Sequence, residues 1–516
     1  MSAAVQETER PRGGFASRKV FILAAIGSAI GLGNIWRFPY VAYENGGGAF
    51  IIPYLVALLT AGLPFLLLDY GMGHRFRGSA PLSFRRADRR AEALGWWQVL
   101  ICFVIAIYYA AVVAWATRYT FFSLDQAWGD DPEGFLFGEF LQAGEPGVGL
   151  DFVPGVLVPL VIVWLVVLVI MALGVQRGIG ATSVVFIPVL LVTFLALVVA
   201  ALFLPGSVDG LEALFAPDWA ALGQTSVWVA AFGQIFFSLS VGFGIMITYA
   251  SYVGRREDMT GAGLVVGFSN SGFELLAGIG VFAALGFMAG AQGTSVDEVA
   301  TEGLGLAFVA FPAIISEAPA GALIGVLFFG ALVFAGVTSL VSVIEVVVSA
   351  VRDKFEMTRV AASMAVGVPA AVISIVLLGT TTGVYVLDIV DHFINRFGIL
   401  LVAVISMVLL TWVFRRTALL REHLNRDGSV PLGQWWLVLI GGITPLALIF
   451  ILVNEVIDNL QTPYEDYPTW MLGTLGWGLA GALILIALII ARVPWRSGTS
   501  LDDPEVRARE AEEAAL

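Results

Sequence analysis

Apolar residues form long runs along most of the chain, from Val20 to Arg492, and polar segments interrupt them at intervals. An α-helix needs about 20 consecutive apolar residues to cross the hydrocarbon part of a bilayer. At that length the runs predict about twelve membrane-spanning helices. Their approximate limits are 20–44, 47–74, 95–125, 154–173, 178–204, 226–253, 261–290, 320–352, 359–379, 384–414, 435–457 and 468–492.

Composition supports an all-α integral membrane protein. Of 516 residues, 59% are hydrophobic and 13% are charged, and a soluble domain cannot bury that much apolar surface. The only cysteine, Cys102, lies inside an apolar run, which excludes a disulfide framework and a cysteine-based metal site. His74, His392 and His423 are far apart in sequence and lack the spacing of zinc ligands.

Charged residues alternate between the two sides of the predicted membrane. The connection 74–90 (HRFRGSAPLSFRRADRR) is densely basic, whereas 126–151, 291–317 and 454–466 are acidic. Cytoplasmic loops collect Arg and Lys, so the pattern predicts an even number of spans with both termini in the cytoplasm.

Two predicted spans contain glycine clusters. The first reads AAIGSAIGLGNIWRFPY and the sixth reads GQIFFSLSVGFGIMITYASY. These glycines could merely allow close helix packing. However, Asn34 and Arg37 follow the first cluster, and an unwound helix is tolerated only where it lines a protein cavity. Broken helices in corresponding positions of two halves indicate a midplane binding site in a transporter with inverted repeats.

Three segments carry a resemblance to a known family. They are GSAIGLGNIWRFPYVAYENGGGAFIIPYL, VWVAAFGQIFFSLSVGFGIMITYASYV and FAGVTSLVSVIE. The chain resembles the neurotransmitter:sodium symporter family, in its bacterial and archaeal leucine-transporter-like branch. The resemblance implies a five-plus-five inverted repeat with broken first and sixth helices, in the cytoplasmic membrane of a prokaryote. We expect an N-terminal segment (1–14), a transport core (15–414), two peripheral helices (415–495) and a cytoplasmic tail (496–516).

The resemblance also implies two sodium ions. Sodium is a hard cation that favours oxygen ligands, which unwound backbone and hydroxyl groups supply. The first site would be formed with the substrate carboxylate by Ala29, Asn34, Ser238 and Asn270. The second would be formed by Gly27, Ile30, Ala335, Thr338 and Ser339. As an alternative, Thr338 and Ser339 could simply bond the preceding helical turn.

Glu274 is an ionisable residue inside the seventh predicted span, and such a residue is a functional candidate. Chloride-dependent animal relatives have a small polar residue near this position. We therefore expect the Glu274 carboxylate to replace chloride beside the sodium, in surroundings that include Tyr54, Gln234 and Ser238. The alternative is a protonated glutamic acid hydrogen-bonded in the core.

The resemblance assigns the substrate site to residues of the first, third, sixth and eighth spans. These are Ser28, Ala29, Leu32, Gly33, Ile105, Tyr109, Phe237, Ser238, Ser240, Phe243, Ser339 and Val343. None is charged, and an unpaired charge buried there would be costly, so the expected substrate is a small neutral amino acid, apolar or aromatic. Tyr109 could otherwise be an ordinary interfacial aromatic residue.

Two charged pairs are the expected gates, with Arg37 and Asp391 on the outside and Arg12 and Asp353 on the inside. The chain should thus be a sodium-coupled symporter and not an enzyme, with sodium, substrate and lipid as partners and no nucleic acid. A rival is a sodium- or proton-coupled carrier of a betaine-like osmolyte, although an aromatic box for the ammonium looks incomplete. A receptor or channel is disfavoured by the paired gates, and a membrane enzyme by the lack of a nucleophile–base pair.

Overall fold

A computed structural model describes residues 14–300 and 303–506, and this part of the chain is nearly all helical. Nine helices are long and apolar enough to cross a membrane in the described ranges. They are Gly48–Phe76, Arg89–Phe122, Pro154–Leu202, Met259–Gln292, Gly321–Phe355, Arg359–Leu378, Gly383–Val413, Gln434–Asp466 and Thr469–Arg492. The expected all-α membrane architecture is therefore confirmed.

The helical run Pro154–Leu202 contains two of the predicted spans. It has 49 residues, which would give a straight helix more than twice as long as the hydrocarbon core is thick. The chain turns at Gly174, whose φ of +88° favours glycine. The fourth span therefore ends at this turn, and the fifth follows it.

The first span is broken, as predicted. Following the predicted orientation, we call Arg18–Ala29 its inner half, and Leu32–Trp36 with Phe38–Glu44 its outer half. The two halves meet at an angle of 58°, because Ile30 is extended (φ −71°, ψ 95°) and ends the helical hydrogen bonding.

The sixth span is also broken. Its outer half, Thr225–Ser238, and its inner half, Ile245–Ala250, are separated by six residues without helical structure. Within the gap, Gly242 (φ +86°) and Gly244 (φ +88°) adopt conformations that other residues rarely tolerate. Ser240 also has a positive φ of +53°, and its hydroxyl donates to the carbonyl of Ser28 at 2.9 Å. This bond joins the breaks of the two spans.

Local signals explain where several helices begin and end. Met259–Gln292 starts after Asp258, whose carboxylate accepts from the N–H of Gly261 at 2.8 Å, and it ends before Gly293 with a φ of +69°. An acceptor side chain before a helix and a left-handed glycine after it are common caps. Shorter helices lie between the spans, at Ala80–Ala87, Ser207–Phe215, Gly303–Glu317 and Thr417–Asp427.

The burial pattern fits a lipid environment. Large apolar side chains of the peripheral spans are exposed, among them Val158, Val192, Leu446 and Leu485. In water such a surface would promote aggregation, whereas in a bilayer it contacts acyl chains. The two broken spans lie inside. Gly27 of the first span faces Ile187 of the fifth, and Gly244 of the sixth span faces Val346 of the eighth.

Candidate functional site

Backbone carbonyls of the first break converge on the eighth span. The hydroxyl oxygen of Ser339 lies 3.3 Å from the carbonyl oxygen of Gly27 and 3.4 Å from those of Ser28 and Ile30. These carbonyls end the inner half-helix, where the last C=O groups lack helical partners. A partial negative charge accumulates at such a helix end, so a cation is favoured there.

Thr338 completes this oxygen cluster. Its hydroxyl donates to the carbonyls of Phe334 (3.0 Å) and Ala335 (2.9 Å), so it makes the helical back-bond that the alternative interpretation describes. That bond uses the hydroxyl proton and leaves oxygen lone pairs available. Ser339, in contrast, contacts the break. The predicted second ion site is therefore a set of adjoining oxygen atoms.

The side chains of the predicted first ion site form a continuous chain. The amide of Asn34 donates to Asn270 at 2.9 Å, and the amide of Asn270 donates to the hydroxyl of Ser238 at 3.1 Å. The other end of the Asn34 amide accepts from the N–H of Gly31 at 2.8 Å. Ala29 lies at the end of the inner half-helix. All four residues are buried, so a cation among them would exchange water for protein oxygen.

Glu274 is fully buried beside this chain. Its carboxylate accepts from the Tyr54 hydroxyl at one oxygen and from the Gln234 amide at the other, the latter at 2.6 Å. A carboxylate is an acceptor only, so both oxygens of an ionised Glu274 would have a donor. The carboxyl group of Glu274 thus lies beside Ser238, one of the residues of the predicted first ion site.

The expected substrate residues lie around the break in the first span. The N–H of Leu32 donates to the Tyr109 hydroxyl at 3.3 Å, and the Phe237 ring covers Gly33 so closely that no side chain would fit there. Ser28 has a buried hydroxyl with no hydrogen-bond partner among the described residues. The remaining side chains of the set are buried as well, namely those of Ile105, Ser240, Phe243 and Val343.

On the outer side, a cavity of about 410 Å³ lies above Phe237. Arg37 lines this cavity, with its guanidinium 4.6 Å from the centre of the Phe237 ring. Arg37 interacts electrostatically with Asp391, which accepts from Asn395 at 2.7 Å. The two residues of the predicted outer pair are therefore close enough to interact, and Arg37 is the member that lines the cavity.

On the inner side, the structure describes only one member of the predicted pair. Arg12 lies outside the described residues, whereas the carboxylate of Asp353 accepts from the N–H of Ser79 at 2.9 Å. The ring of Phe15 packs against Tyr249 at 5.4 Å and against Tyr252 at 6.2 Å. Aromatic packing thus covers the inner half of the first span where it meets the sixth span.

Comparison with known proteins decides the family. The model of the sodium:neurotransmitter symporter family matches residues 12–135 and 130–497. The chain belongs to this family. An uncharacterized sodium-dependent transporter of Methanocaldococcus jannaschii is 40% identical over 486 residues, which cover 93% of this chain and 96% of the relative.

More distant relatives carry names that include their substrates. A human sodium- and chloride-dependent GABA transporter 2 is 29% identical over 91% of this chain and 84% of its own length. A sodium-dependent serotonin transporter of Drosophila melanogaster is 28% identical over 93% of this chain and 82% of its own length. The predicted family is thus confirmed, and sodium dependence is common to the names of these relatives.

One buried charged residue beside the broken sixth span was missed by the sequence analysis. Asp69, buried in the second span, accepts from the N–H of Gly242 in the break of the sixth span at 3.2 Å. The signal was present, because Asp69 is a charge inside the apolar run PFLLLDYGMG. Its position in the chain did not reveal which backbone group it contacts.

A buried ion pair below the inner aromatic cluster was also missed. The Glu345 carboxylate accepts from the Tyr252 hydroxyl at 2.5 Å and from the Arg359 guanidinium at 2.7 Å. Glu345 is fully buried, and Arg359 also donates to the carbonyl of Met171 at 2.7 Å. This cluster joins the inner half of the sixth span to the eighth and ninth spans.

Proposed function

We propose that this member of the family is a symporter that uses two sodium ions to import a small neutral amino acid, apolar or aromatic. The observation that carries the proposal is the position of Asn34. Its amide bonds Asn270 and the N–H of Gly31, one residue before the N–H of Leu32 that contacts Tyr109. A substrate carboxylate at Leu32 and Tyr109 would therefore adjoin the first sodium ion, and each would strengthen the binding of the other.

The proposed pocket favours a neutral side chain on electrostatic grounds. No Asp, Glu, Lys or Arg occurs among its twelve residues, and a second charge on the substrate would be buried without a partner. The carboxylate would be bound by the N–H groups of Leu32 and Gly33 and by the Tyr109 hydroxyl. Serine and aromatic side chains would surround the rest of the substrate.

We propose alternating access between the two gates. The first and sixth spans, with their neighbours, would rock against the remaining helices. Arg37 and Asp391 would close the outer side, and Arg12 and Asp353 the inner side. Both termini would be cytoplasmic, in the membrane of a prokaryote, with the transport core at 15–414. Labelling of a cysteine introduced at Asp502 would test this orientation, since the native Cys102 is buried.

The osmolyte alternative is less well supported. Cation–π recognition of a methylated ammonium requires free aromatic faces, and the Arg37 guanidinium already lies over Phe237. Only Phe243 and Tyr109 would remain from the aromatic residues of the pocket. Transport of a betaine is therefore an outcome to be tested and not our proposal.

Uptake into proteoliposomes tests the proposed function. A radiolabelled mixture of neutral amino acids is offered with an inward sodium gradient, with a proton gradient alone, and with neither. We expect accumulation with sodium only, and its loss in Asn34→Ala. Equal uptake with a proton gradient alone would contradict the sodium sites, and uptake of a betaine but of no amino acid would contradict the substrate assignment.

A further inference from the structure

A segment near the C-terminus crosses the cytoplasmic face of the helices. We call residues 495–506 the C-terminal strap. Its first part is attached to the end of the eighth span, because the Trp495 ring lies 4.9 Å from the ammonium of Lys354 and the Thr499 hydroxyl donates to the carbonyl of Asp353 at 2.9 Å. Farther along, the carbonyl of Ser500 accepts from Arg86 at 2.7 Å.

The far end of the strap is attached to the second span. Arg75 donates to Asp503 at 2.8 Å and to Glu505 at 2.6 Å. Glu505 also accepts from Arg426 at 3.2 Å, in the helix between the tenth and eleventh spans. The strap therefore joins helix ends that are far apart in sequence.

Two histidines continue this connection to the sixth span. Nδ1 of His423 lies 2.9 Å from Oε1 of Glu505, off the line of a ring N–H bond but within ion-pair distance. Nε2 of His423 lies 2.9 Å from Nδ1 of His74, and Nε2 of His74 lies 2.7 Å from the carbonyl of Gly254. Gly254 follows the inner half of the sixth span.

The contacts of the two rings require three ring N–H hydrogens. Two neutral imidazoles carry only two, so the arrangement needs one additional proton. The carbonyl of Gly254 can only accept, so His74 must carry its hydrogen on Nε2 and accept at Nδ1. His423 must then donate from Nε2. A neutral His423 would leave a lone pair on Nδ1 facing the Glu505 carboxylate at 2.9 Å, which is repulsive. A third hydrogen on His423 turns this repulsion into attraction.

The extra proton belongs on the histidine pair and not on the strap. The adjacent His423 ring, followed by Arg75 and Arg426, holds the pKa of Glu505 well below its usual range, against the opposing effect of its burial. The charged and titratable groups that face the pair come from the second span, the helix Thr417–Asp427 and the strap. They are Arg75, Arg77, Arg421, Glu422, Arg426, Asp503 and Glu505.

We propose that His74 and His423 form a cytoplasmic proton-binding site that keeps the C-terminal strap docked. The proton comes from the cytoplasm, and the docked strap ties the second and sixth spans to the eighth. Because docking places the Glu505 carboxylate 2.9 Å from His423, the docked state holds the proton more tightly than the released state, so docking is strengthened at low pH and weakened as the pH rises. Imidazole is the side chain that changes its charge between about pH 5 and 8.

The consequence for transport rests on the proposed function. Opening to the cytoplasm moves the sixth span away from the eighth, so a docked strap opposes it. Acid in the cytoplasm should therefore slow substrate release. The proton site itself does not depend on the substrate or on the coupling ion.

Spin-label distances test the docking without any transport. Labels at Ala418→Cys and Val506→Cys report on the strap, because both positions are exposed and uncharged and Cys102 is buried. We expect one narrow, short distance near pH 6 and a broader, longer distribution near pH 8.5. His423→Gln should abolish this change. The same change in His423→Gln, or a distance that does not vary with pH in the parent, would overturn the proposal.

Nitrogen NMR tests the proton count. The chain has three histidines, so in His392→Gln the remaining signals belong to the pair, and the extracellular substitution should leave the strap unaffected. We expect three N–H hydrogens on two rings near pH 6 and two near pH 8.5. Two ring N–H hydrogens at both pH values would refute the proposed proton-binding site.

The regulatory consequence is measured separately. Uptake into proteoliposomes should slow several-fold when the inner pH falls from about 8 to about 6, and His423→Gln should remove this dependence. Since spin labels and NMR need no substrate, absence of amino-acid uptake would contradict the proposed function and leave the proton site standing. An unchanged pH dependence of uptake in His423→Gln would overturn the regulatory part of the inference.

Discussion

The carboxylate of Asp69 accepts a hydrogen bond from the backbone N–H of Gly242 at 3.2 Å. Gly242 lies in the break of the sixth span with a φ of +86°, where no helical partner is available for its N–H. An unpaired N–H in a membrane interior costs several kcal/mol. Asp69 therefore stabilises the unwound segment from the second span.

We predict that Asp69→Leu weakens substrate binding about tenfold or more, since a hydrogen bond to a charged group contributes about 1.5–3 kcal/mol. Equilibrium binding of the labelled substrate at saturating sodium measures the effect. Asp69→Asn keeps an acceptor at the same place and should lie between the parent and Asp69→Leu. Binding of parental strength in Asp69→Leu would show that Gly242 does not need this partner.

Thr338 of the predicted second ion site can be compared with Thr474, a threonine outside the site that makes the same kind of hydrogen bond. Both hydroxyls donate to the carbonyl four residues earlier, Thr338 to Phe334 at 3.0 Å and Thr474 to Trp470 at 2.7 Å. Only Thr338 adjoins the first break. We predict that Thr338→Val raises the sodium concentration for half-maximal uptake about tenfold or more, whereas Thr474→Val leaves it unchanged. Equal shifts in both variants would assign the effect to the lost back-bond.

The proposed role of Glu274 predicts how transport depends on chloride. If its carboxylate balances the sodium charge, Glu274→Ser should transport only when chloride is added, because Tyr54 and Gln234 remain as donors to an anion. Uptake in gluconate and in chloride media compares the two states. Glu298→Ser, at an exposed position of the short helix Val296–Val299, is the control, and its uptake should not depend on chloride. Full uptake by Glu274→Ser without chloride would argue against the proposal.

The sequence predicted the spans and the two breaks because both depend on local patterns. Apolar length marks a span, and the Gly27–Gly33 and Gly242–Gly244 clusters mark where helices unwind. The partners of Asp69 and Glu345 could not be predicted, although each is a visible charge in an apolar run. Their contacts depend on how separate helices pack, and the period of one helix carries no information on that.

The contacts of the C-terminal strap were even harder to predict from the sequence. Arg75 and Glu505 are 430 residues apart, and the strap has no periodicity that would have suggested a binding surface. Its charges resemble those of an ordinary solvated tail. The three-dimensional arrangement alone reveals that its acidic groups face a basic cluster at the ends of the second span and of the helix Thr417–Asp427.

Arg359 should be essential for the stability of the inner ends of the sixth, eighth and ninth spans. Removing one partner of a buried pair leaves an uncompensated charge, at a cost of about 3–5 kcal/mol, and Glu345 is fully buried. We therefore predict a marked fall of the melting temperature in Arg359→Leu and partial recovery in the double variant Arg359→Leu/Glu345→Gln. Arg90→Leu removes an exposed pair with Asp88 and should have little effect.

Asp258 provides a pH-dependent link between the first and seventh spans. It pairs with Arg18 at 3.0 Å and accepts from the N–H groups of Gly261 at 2.8 Å and Ser429 at 2.9 Å. Burial by itself would raise the pKa of Asp258, but these hydrogen bonds outweigh it and lower the pKa to about 2. A depressed carboxyl pKa stabilises the folded state above the group's ordinary range, and this contribution is lost as the pH falls towards about 2.

We predict that Asp258→Asn lowers stability at pH 7 by about 1 kcal/mol, a value that allows for solvent screening of a surface site. The difference from the parent should shrink as the pH falls from about 4 to about 2, because the parent carboxylate then gains its proton and loses the charge that Arg18 attracts. Thermal unfolding of the two proteins in detergent at matched pH values measures this difference. Asp502→Asn, at an exposed position, is the control for a general effect of charge. A difference that stays constant down to pH 2 would mean that the cap geometry, and not the charge of Asp258, stabilises this link.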